Sequence, residues 1–205
     1  MNRRLLCFGD SNTYGYDPRS YLGDRYAAHV RWTGILHALP GWEVLNQGQN
    51  GRTIPVTDRE LAQVDALLSQ SVPLHAMTVL LGGNDLLQRL SLSAEAVSER
   101  MKRLLERILA HPAFRENPKG LLLLAPPPMV PGAWVTEERL MVESARLATC
   151  YGALARLLGI SFADSGQWKV SLTFDGVHFS EAGHRAFARG LGAVLEGLFQ
   201  GEEIL

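Results

Sequence analysis

The sequence predicts an α/β fold, a parallel sheet with helices on both faces. Three observations carry this expectation. Short runs of almost unbroken apolar residues recur along the chain, as strands buried on both faces require. Amphipathic stretches of helical period lie between them, and strand–helix alternation of this kind builds a parallel sheet. No repeat, low-complexity tract or linker interrupts the alternation, so residues 1–205 are expected to form one domain.

In chain order, the first apolar run is "RRLLCF" at 3–8 and the second "WEVLNQ" at 42–47. A helix follows over "TDRELAQVDALLSQ", where Thr57 and Glu60 stand at capping-box spacing. The third run is "AMTVLL" at 76–81, followed by a helix over "SAEAVSERMKRLLERILA" with Ser93 as its N-cap. The fourth run, "GLLLLA" at 120–125, precedes a helix over 136–159 that stops at Gly159. The fifth is "ISFAD" at 160–164, and "SEAGHRAFARGLGAVLEGLF" closes the series as a helix. Two stretches escape this rhythm: "YGYDPRSYLGDRYAAHV" at 14–30 and "PPPMVPGAW" at 126–134. Both follow the carboxyl ends of expected strands, where open α/β sheets bind ligands.

The composition narrows the function classes. Hydrophobic residues are 46% and charged residues 20% of the 205, ordinary for a globular chain large enough to bury a core without staples. The formal charge of −1 is spread over both signs with no basic stripe, which argues against nucleic acid as a partner. Cys7 and Cys150 lie in apolar segments and read as buried reduced thiols rather than a disulfide framework. The basic start "MNRR" is followed by too short an apolar run for a signal peptide. No segment reaches the roughly 20 apolar residues of a membrane span. A cytoplasmic protein without a membrane partner is the expectation.

The strand ends carry the chemistry. "CFGDSNTYGYD" at 7–17 sets Ser11 just past the first strand, in what by itself is turn composition. "NQGQNGRT" follows the second strand and brings Gly51; "GGND" follows the third and holds Asn84 between Gly83 and Asp85. "FDGVHFSEAGH" places Asp175 and His178 three residues apart before the last helix. In a turn, that spacing puts carboxylate and imidazole on one side, as needed when a carboxylate orients a base whose other nitrogen faces a hydroxyl. Each block alone is more often structural; together, at successive strand ends, they point to nucleophilic catalysis. His29, His37, His75, His111 and His184 lack a carboxylate at useful spacing at a strand end. His37 and His111 read as capping or surface residues, and His184, inside the last helix, as facing solvent or its neighbours. No HExxH or Cys/His cluster is present, so no metal is expected.

These blocks resemble the signature of the SGNH hydrolases, the GDSL-type esterases and lipases: "GDSN" at 9–12, Gly51 of "QNGRT", "GGND" at 82–85 and "DGVH" at 175–178. The likeness is greatest to the arylesterase/acyltransferase branch, with one mild departure, Asn12 in place of the family's Leu. It implies a flavodoxin-like three-layer α/β/α sandwich with a central parallel sheet of about five strands. It further implies Ser11 as nucleophile, His178 as base and Asp175 as its orienter. The oxyanion hole would be the backbone N–H groups of Ser11 and Gly51 and the side-chain amide of Asn84. The residue types agree: a glycine lets backbone approach a substrate oxygen closely, and an uncharged amide donates without a change of protonation. The α/β-hydrolases are a poorer match, because Thr13 stands where G-x-S-x-G needs its second glycine.

The expected activity is hydrolysis of short-chain carboxylic esters through an acyl-enzyme, with possible transfer of the acyl group to alcohols and no cofactor. A carbohydrate acetylesterase, thioesterase or lysophospholipase would use the same residues. A flavodoxin-like flavin- or nucleotide-binding module is the competing class, but the first loop lacks a run of phosphate-cradling residues. Asp10, Asn12, Tyr14, Tyr16, Trp32, Met129 and Trp134 are expected to line the substrate pocket. Tyr21, Tyr26, Met129, Val130 and Trp134 would form an apolar mouth covered by neighbouring subunits of a homo-oligomer.

Overall fold

The structure is a computed structural model and describes residues 2–20 and 22–200. Its elements run β1 (Arg3–Gly9), α1 (Ser11–Tyr14), α2 (Trp32–His37), β2 (Trp42–Gly48), α3 (Asp58–Ser71) and β3 (Ala76–Leu80). They continue with α4 (Gly83–Gln88), α5 (Ala94–Ala110), α6 (Pro112–Arg115), β4 (Leu121–Ala125), α7 (Glu138–Leu158), β5 (Ser161–Asp164) and α8 (Glu181–Phe199). The five strands form one parallel sheet in the order β2-β1-β3-β4-β5. No helix among the described residues is long and apolar enough to cross a membrane.

The period of a strand sends alternate side chains to opposite faces, and the two cores follow from that. Leu6, Phe8, Met77, Val79, Leu121 and Leu123 face one way, onto a core with the apolar stripes of α3, α5 and α7. Leu5, Cys7, Leu80, Leu122 and Leu124 face the other way, onto Trp32 and Leu36 of α2 and Phe187 and Leu191 of α8. The helix starts are where the capping residues put them. Thr57 and Glu60 exchange both bonds of a capping box, and the Ser93 and Ser180 hydroxyls accept from Ala96 N and Gly183 N. Gly159 ends α7 with a φ of 68°.

Burial departs from the sequence expectation at the sheet edges. β1, β3 and β4 are interior strands, buried almost throughout, whereas β2 is half-buried along its whole length and β5 alternates. Each edge strand lacks a neighbour on one side, which no apolar run reveals. Cys7 is buried, and burial pushes its thiol up to about 12, with the nearby Thr78 hydroxyl pulling the other way. Cys150 is only half-buried, because it lies on the flank of α7.

The sheet order reverses between β1 and β3. The chain leaves β1 for β2 on one side and then builds β3, β4 and β5 on the other. A crevice opens at such a reversal, outside the carboxyl ends of the strands. Ser11 follows β1 and Asn84 follows β3, so both stand at that crevice.

Candidate active site

The first turn after β1 is tight. Asp10 caps α1, its Oδ1 accepting from Asn12 N at 3.0 Å, and Ser11 is the first helical residue. A Cβ at Gly9 would fall 2.1 Å from Thr13 Oγ1 and 2.9 Å from Leu80 O, so only glycine lets the turn fold back against β3. Burial pushes the Asp10 carboxyl up to about 6, against the pull of the Asn12 amide, His178 and Arg52.

At the far end of the chain, Asp175 organises a turn around itself. Its Oδ1 accepts from Thr173 Oγ1, Val177 N and His178 N, each at 2.9 Å. Its Oδ2 faces His178 Nδ1 at 2.7 Å, and His178 Nε2 faces Ser11 Oγ at 2.9 Å. With the ring proton on Nδ1, Nε2 is free to accept the serine hydroxyl. Burial works against the Asp175 carboxylate, but the His178 ring and the two amide donors outweigh it and hold the group down to about 2. Asn12 ties this turn to the serine: its Oδ1 accepts from Phe179 N at 2.8 Å and its Nδ2 donates to Val177 O at 3.1 Å.

The third side is a loop between β2 and α3, held by α4. Gly51 has a φ of 73°, and nothing lies within 4 Å of where a Cβ would be, so its backbone angle is what calls for glycine. Asn84 Nδ2 donates one hydrogen to Arg52 O at 3.1 Å, and Gln88 Nε2 donates to Gly51 O at 3.0 Å. Asp85, fully buried, accepts from Ile54 N at 3.0 Å and from Arg100 Nε at 2.7 Å. Burial raises the Asp85 carboxyl while Ile54 N and Arg100 oppose the rise.

A cavity of about 600 Å³ opens in front of Ser11 and is lined by Tyr16, Gly51, Asn84, Trp134 and His178, with Asn50, Leu87 and Gln88. The His178 ring lies between Tyr16 and Trp134, with ring centroids 4.7 and 4.9 Å away. Trp134 is held there by the docking of 130–134 on the Asp175 turn: Val130 N, Ala133 N and Trp134 N donate to Gly176 O, Phe174 O and Asp175 O. Leu87 and Gln88 escaped the sequence reading, although they follow Asn84 by three and four positions, the same face of one helix. Among the described residues, no group of three or more His, Cys, Asp or Glu could hold a metal ion.

Several expected pocket residues sit elsewhere. Trp32 is fully buried between α2 and α8, against Phe187, and its Nε1 donates to Asn12 O at 2.9 Å; it supports the serine turn from behind. Tyr14 lies beneath the Arg25 guanidinium, 4.3 Å from its ring centroid, outside both cavities that reach Ser11. Asp10, Asn12 and Met129 border a smaller cavity behind Ser11 instead of the large one. Tyr26 is buried under Arg19 rather than placed at a mouth, and Tyr21 lies outside the described residues. His184 is fully buried between Tyr26 and Phe179, because the last helix turns that face to the sheet; burial, with Arg31 and His178, holds its imidazole down to about 3.

The GDSL-like lipase/acylhydrolase family matches residues 7–186. Among solved structures, the chain is similar to the aryl esterase of M. smegmatis, with 29% identity, a TM-score of 0.82, and coverage of 96% of this chain and 99% of that one. It is similar to Est24, a carbohydrate acetylesterase from Sinorhizobium meliloti, with 25% identity, a TM-score of 0.83, and coverage of 97% and 100%. An arylesterase candidate from Agrobacterium tumefaciens str. C58 is 32% identical, with a TM-score of 0.82 over 96% of this chain and 99% of that one. No curated protein sequence matches the chain.

Proposed function

The chain belongs to the SGNH hydrolases, the GDSL-like lipases and acylhydrolases, and from that premise we propose that this serine ester hydrolase cleaves short-chain carboxylic esters through Ser11, His178 and Asp175. The observation that carries the reading is the continuous chain from Asp175 Oδ2 through the imidazole to Ser11 Oγ, at 2.7 and 2.9 Å.

In the proposed cycle Ser11 Oγ bonds to the ester carbonyl carbon as its proton passes to His178 Nε2. The carbonyl oxygen becomes an oxyanion, met by the N–H groups of Ser11 and Gly51 and by the second amide hydrogen of Asn84, the one not given to Arg52. The bond to the alcohol breaks as His178 returns the proton to the leaving oxygen. Water then attacks the acyl-enzyme by the reverse steps, and a second alcohol in its place gives acyl transfer. Asp175 keeps the ring proton on Nδ1 and stabilises the imidazolium. No cofactor enters this cycle.

Trp134 lines the cavity and is 52% exposed, and Val130 and Phe174, where 130–134 meets the Asp175 turn, are 43% and 65% exposed. We assign the cover of this apolar rim to further copies of the chain, which also lowers the water content near an acyl-enzyme and favours alcohol as acceptor. The likeness to a carbohydrate acetylesterase supports a second reading, deacetylation of sugars by the same residues.

The test is p-nitrophenyl acetate hydrolysis by wild type and Ser11→Ala, with acetylated sugars run alongside. Ser11→Ala should lose roughly 10⁵–10⁶ in kcat with an unchanged melting temperature. A folded Ser11→Ala with near-normal turnover removes the mechanism.

A further inference from the structure

Both ends of the Asn12 side-chain amide are fixed to the turn that holds the base. Oδ1 accepts from Phe179 N at 2.8 Å and Nδ2 donates to Val177 O at 3.1 Å, gripping the chain on either side of His178. The Asn12 backbone is held as well: its N donates to Asp10 Oδ1 at 3.0 Å and its O accepts from Trp32 Nε1 at 2.9 Å. The side chain is buried beside Ser11. Turning the amide over would set oxygen against oxygen and N–H against N–H, so its orientation is fixed.

The serine and its base come from turns 167 positions apart in the chain. Among the described residues, three hydrogen bonds join the turn at 10–14 to the turn at 173–179: the two of Asn12, and that between Ser11 Oγ and His178 Nε2. Residues 130–134 also hold the base turn, through Phe174 O, Asp175 O and Gly176 O, but make no hydrogen bond to the serine turn.

One of the three bonds cannot last through a turnover. Once an acyl group is on Ser11, Oγ carries no hydrogen, and Nε2 must accept from water instead. Deacylation therefore proceeds with the Ser11–His178 bond gone, while His178 must still stand beside the acyl carbon. The Asn12 amide takes no part in the bond changes, so its two bonds persist through both halves of the cycle.

We propose that Asn12 is a positioning residue: it fixes the acylated serine against His178 and acts mainly on deacylation. Leucine, the family's residue here, would fill similar space but offers neither donor nor acceptor. Without the amide, the base turn keeps its own bonds to Asp175 and can shift as a unit away from the serine. Asn12 does not border the large cavity, so its loss leaves that cavity's walls in place. The proposal rests on the serine-esterase reading above.

Stopped-flow hydrolysis of p-nitrophenyl acetate by wild type, Asn12→Leu and Asn12→Ala tests it, because the first release of p-nitrophenolate follows acylation and the steady state follows the slower step. In both variants kcat should fall roughly 10–100-fold, the cost of about an ångström of misplacement, while kcat/KM, which ends at acylation, falls no more than about threefold. KM then falls with kcat, and a burst of about one p-nitrophenolate per enzyme precedes the steady state. A merely structural Asn12 would lower kcat and kcat/KM together by reducing the folded fraction, with KM unchanged, and that result overturns the proposal. So does an unaltered kcat in either folded variant. Failure of both variants to fold makes Asn12 a structural residue and overturns it too. A wild type that does not hydrolyse p-nitrophenyl acetate sinks the esterase reading and the clamp together, whereas an active wild type with parallel losses in the variants sinks the clamp alone.

Discussion

The two flanks of Ser11 are built in opposite ways. The base side is local: Asp175 accepts three hydrogen bonds from residues within three positions and uses its other oxygen on His178. From elsewhere, Asn12 ties this turn to the serine and residues 130–134 dock on its carbonyls. The proposed oxyanion side is assembled largely from afar. Within the loop at 51–54, Arg52 bonds locally to Gln47 and Gln49, but Gly51 O, Arg52 O and Ile54 N are met by Gln88, Asn84 and Asp85, which are 31 to 37 positions away. Arg100 of α5 in turn neutralises Asp85, linking the loop to the main core. A local turn can change its chemistry without changing the fold. A loop suspended from the core cannot, so rate and stability should fail together there.

The largest effect is expected on the base side. Asp175→Asn keeps a hydrogen-bonding group of the same shape but forces the wrong ring tautomer, and should cost roughly 10³–10⁴ in kcat, less than Ser11→Ala. The melting temperature should fall by only a few degrees, from loss of the stability that the ionised carboxylate contributes. A rate loss below tenfold would mean that His178 is oriented by something other than Asp175.

Next comes Asn84→Ala, which removes the proposed oxyanion donor and the tie to Arg52. A loss of roughly 10²–10³ in kcat with a much smaller change in KM is expected. A change confined to KM would move Asn84 from transition-state stabilisation to substrate binding.

Arg100→Met sharpens the contrast because it touches no substrate. It leaves the Asp85 carboxylate buried without its cation and should lower unfolding free energy by about 3–5 kcal/mol in urea titrations, with a fall in kcat. The exposed pair of Arg107 and Asp65 is the control, and Arg107→Met should cost less than about 1 kcal/mol. Equal losses in the two variants would show that α4 does not depend on its buried ion pair.

The smallest effect concerns the two carboxylates around Ser11, whose shifts have opposite sign. Asp175 is lowered to about 2 from 3.8, so the stability it contributes is complete above 3.8 and is lost as pH falls towards 2. Asp10 is raised to about 6 from 3.8, so the native state holds its proton more tightly, and stability is lost as pH rises from 3.8 to about 6. Asp10→Asn abolishes that loss. The variant's stability relative to wild type should rise through this window by about 3 kcal/mol and stay level above it. A difference that does not change with pH would place Asp10 outside the titrating set.

The sequence by itself determined whatever depends on near neighbours along the chain. Apolar runs and caps at Thr57, Ser93 and Ser180 set the order and starts of the elements, since strand period and end-capping are short-range. The spacing of Asp175 and His178 is legible for the same reason: one turn brings them together whatever surrounds it. Tertiary structure alone decided which faces are covered. Trp32 reads like a pocket aromatic, but α2 turns it onto α8, while Trp134 reaches His178 only because 130–134 docks on the Asp175 turn. The half-burial of β2 follows from its place at the edge of the sheet, which its own residues do not encode. The support of Ile54 in that loop by Asp85 and Arg100 is likewise invisible in the chain, because a buried ion pair between distant elements has no period and no fixed spacing, only a shared place in the fold.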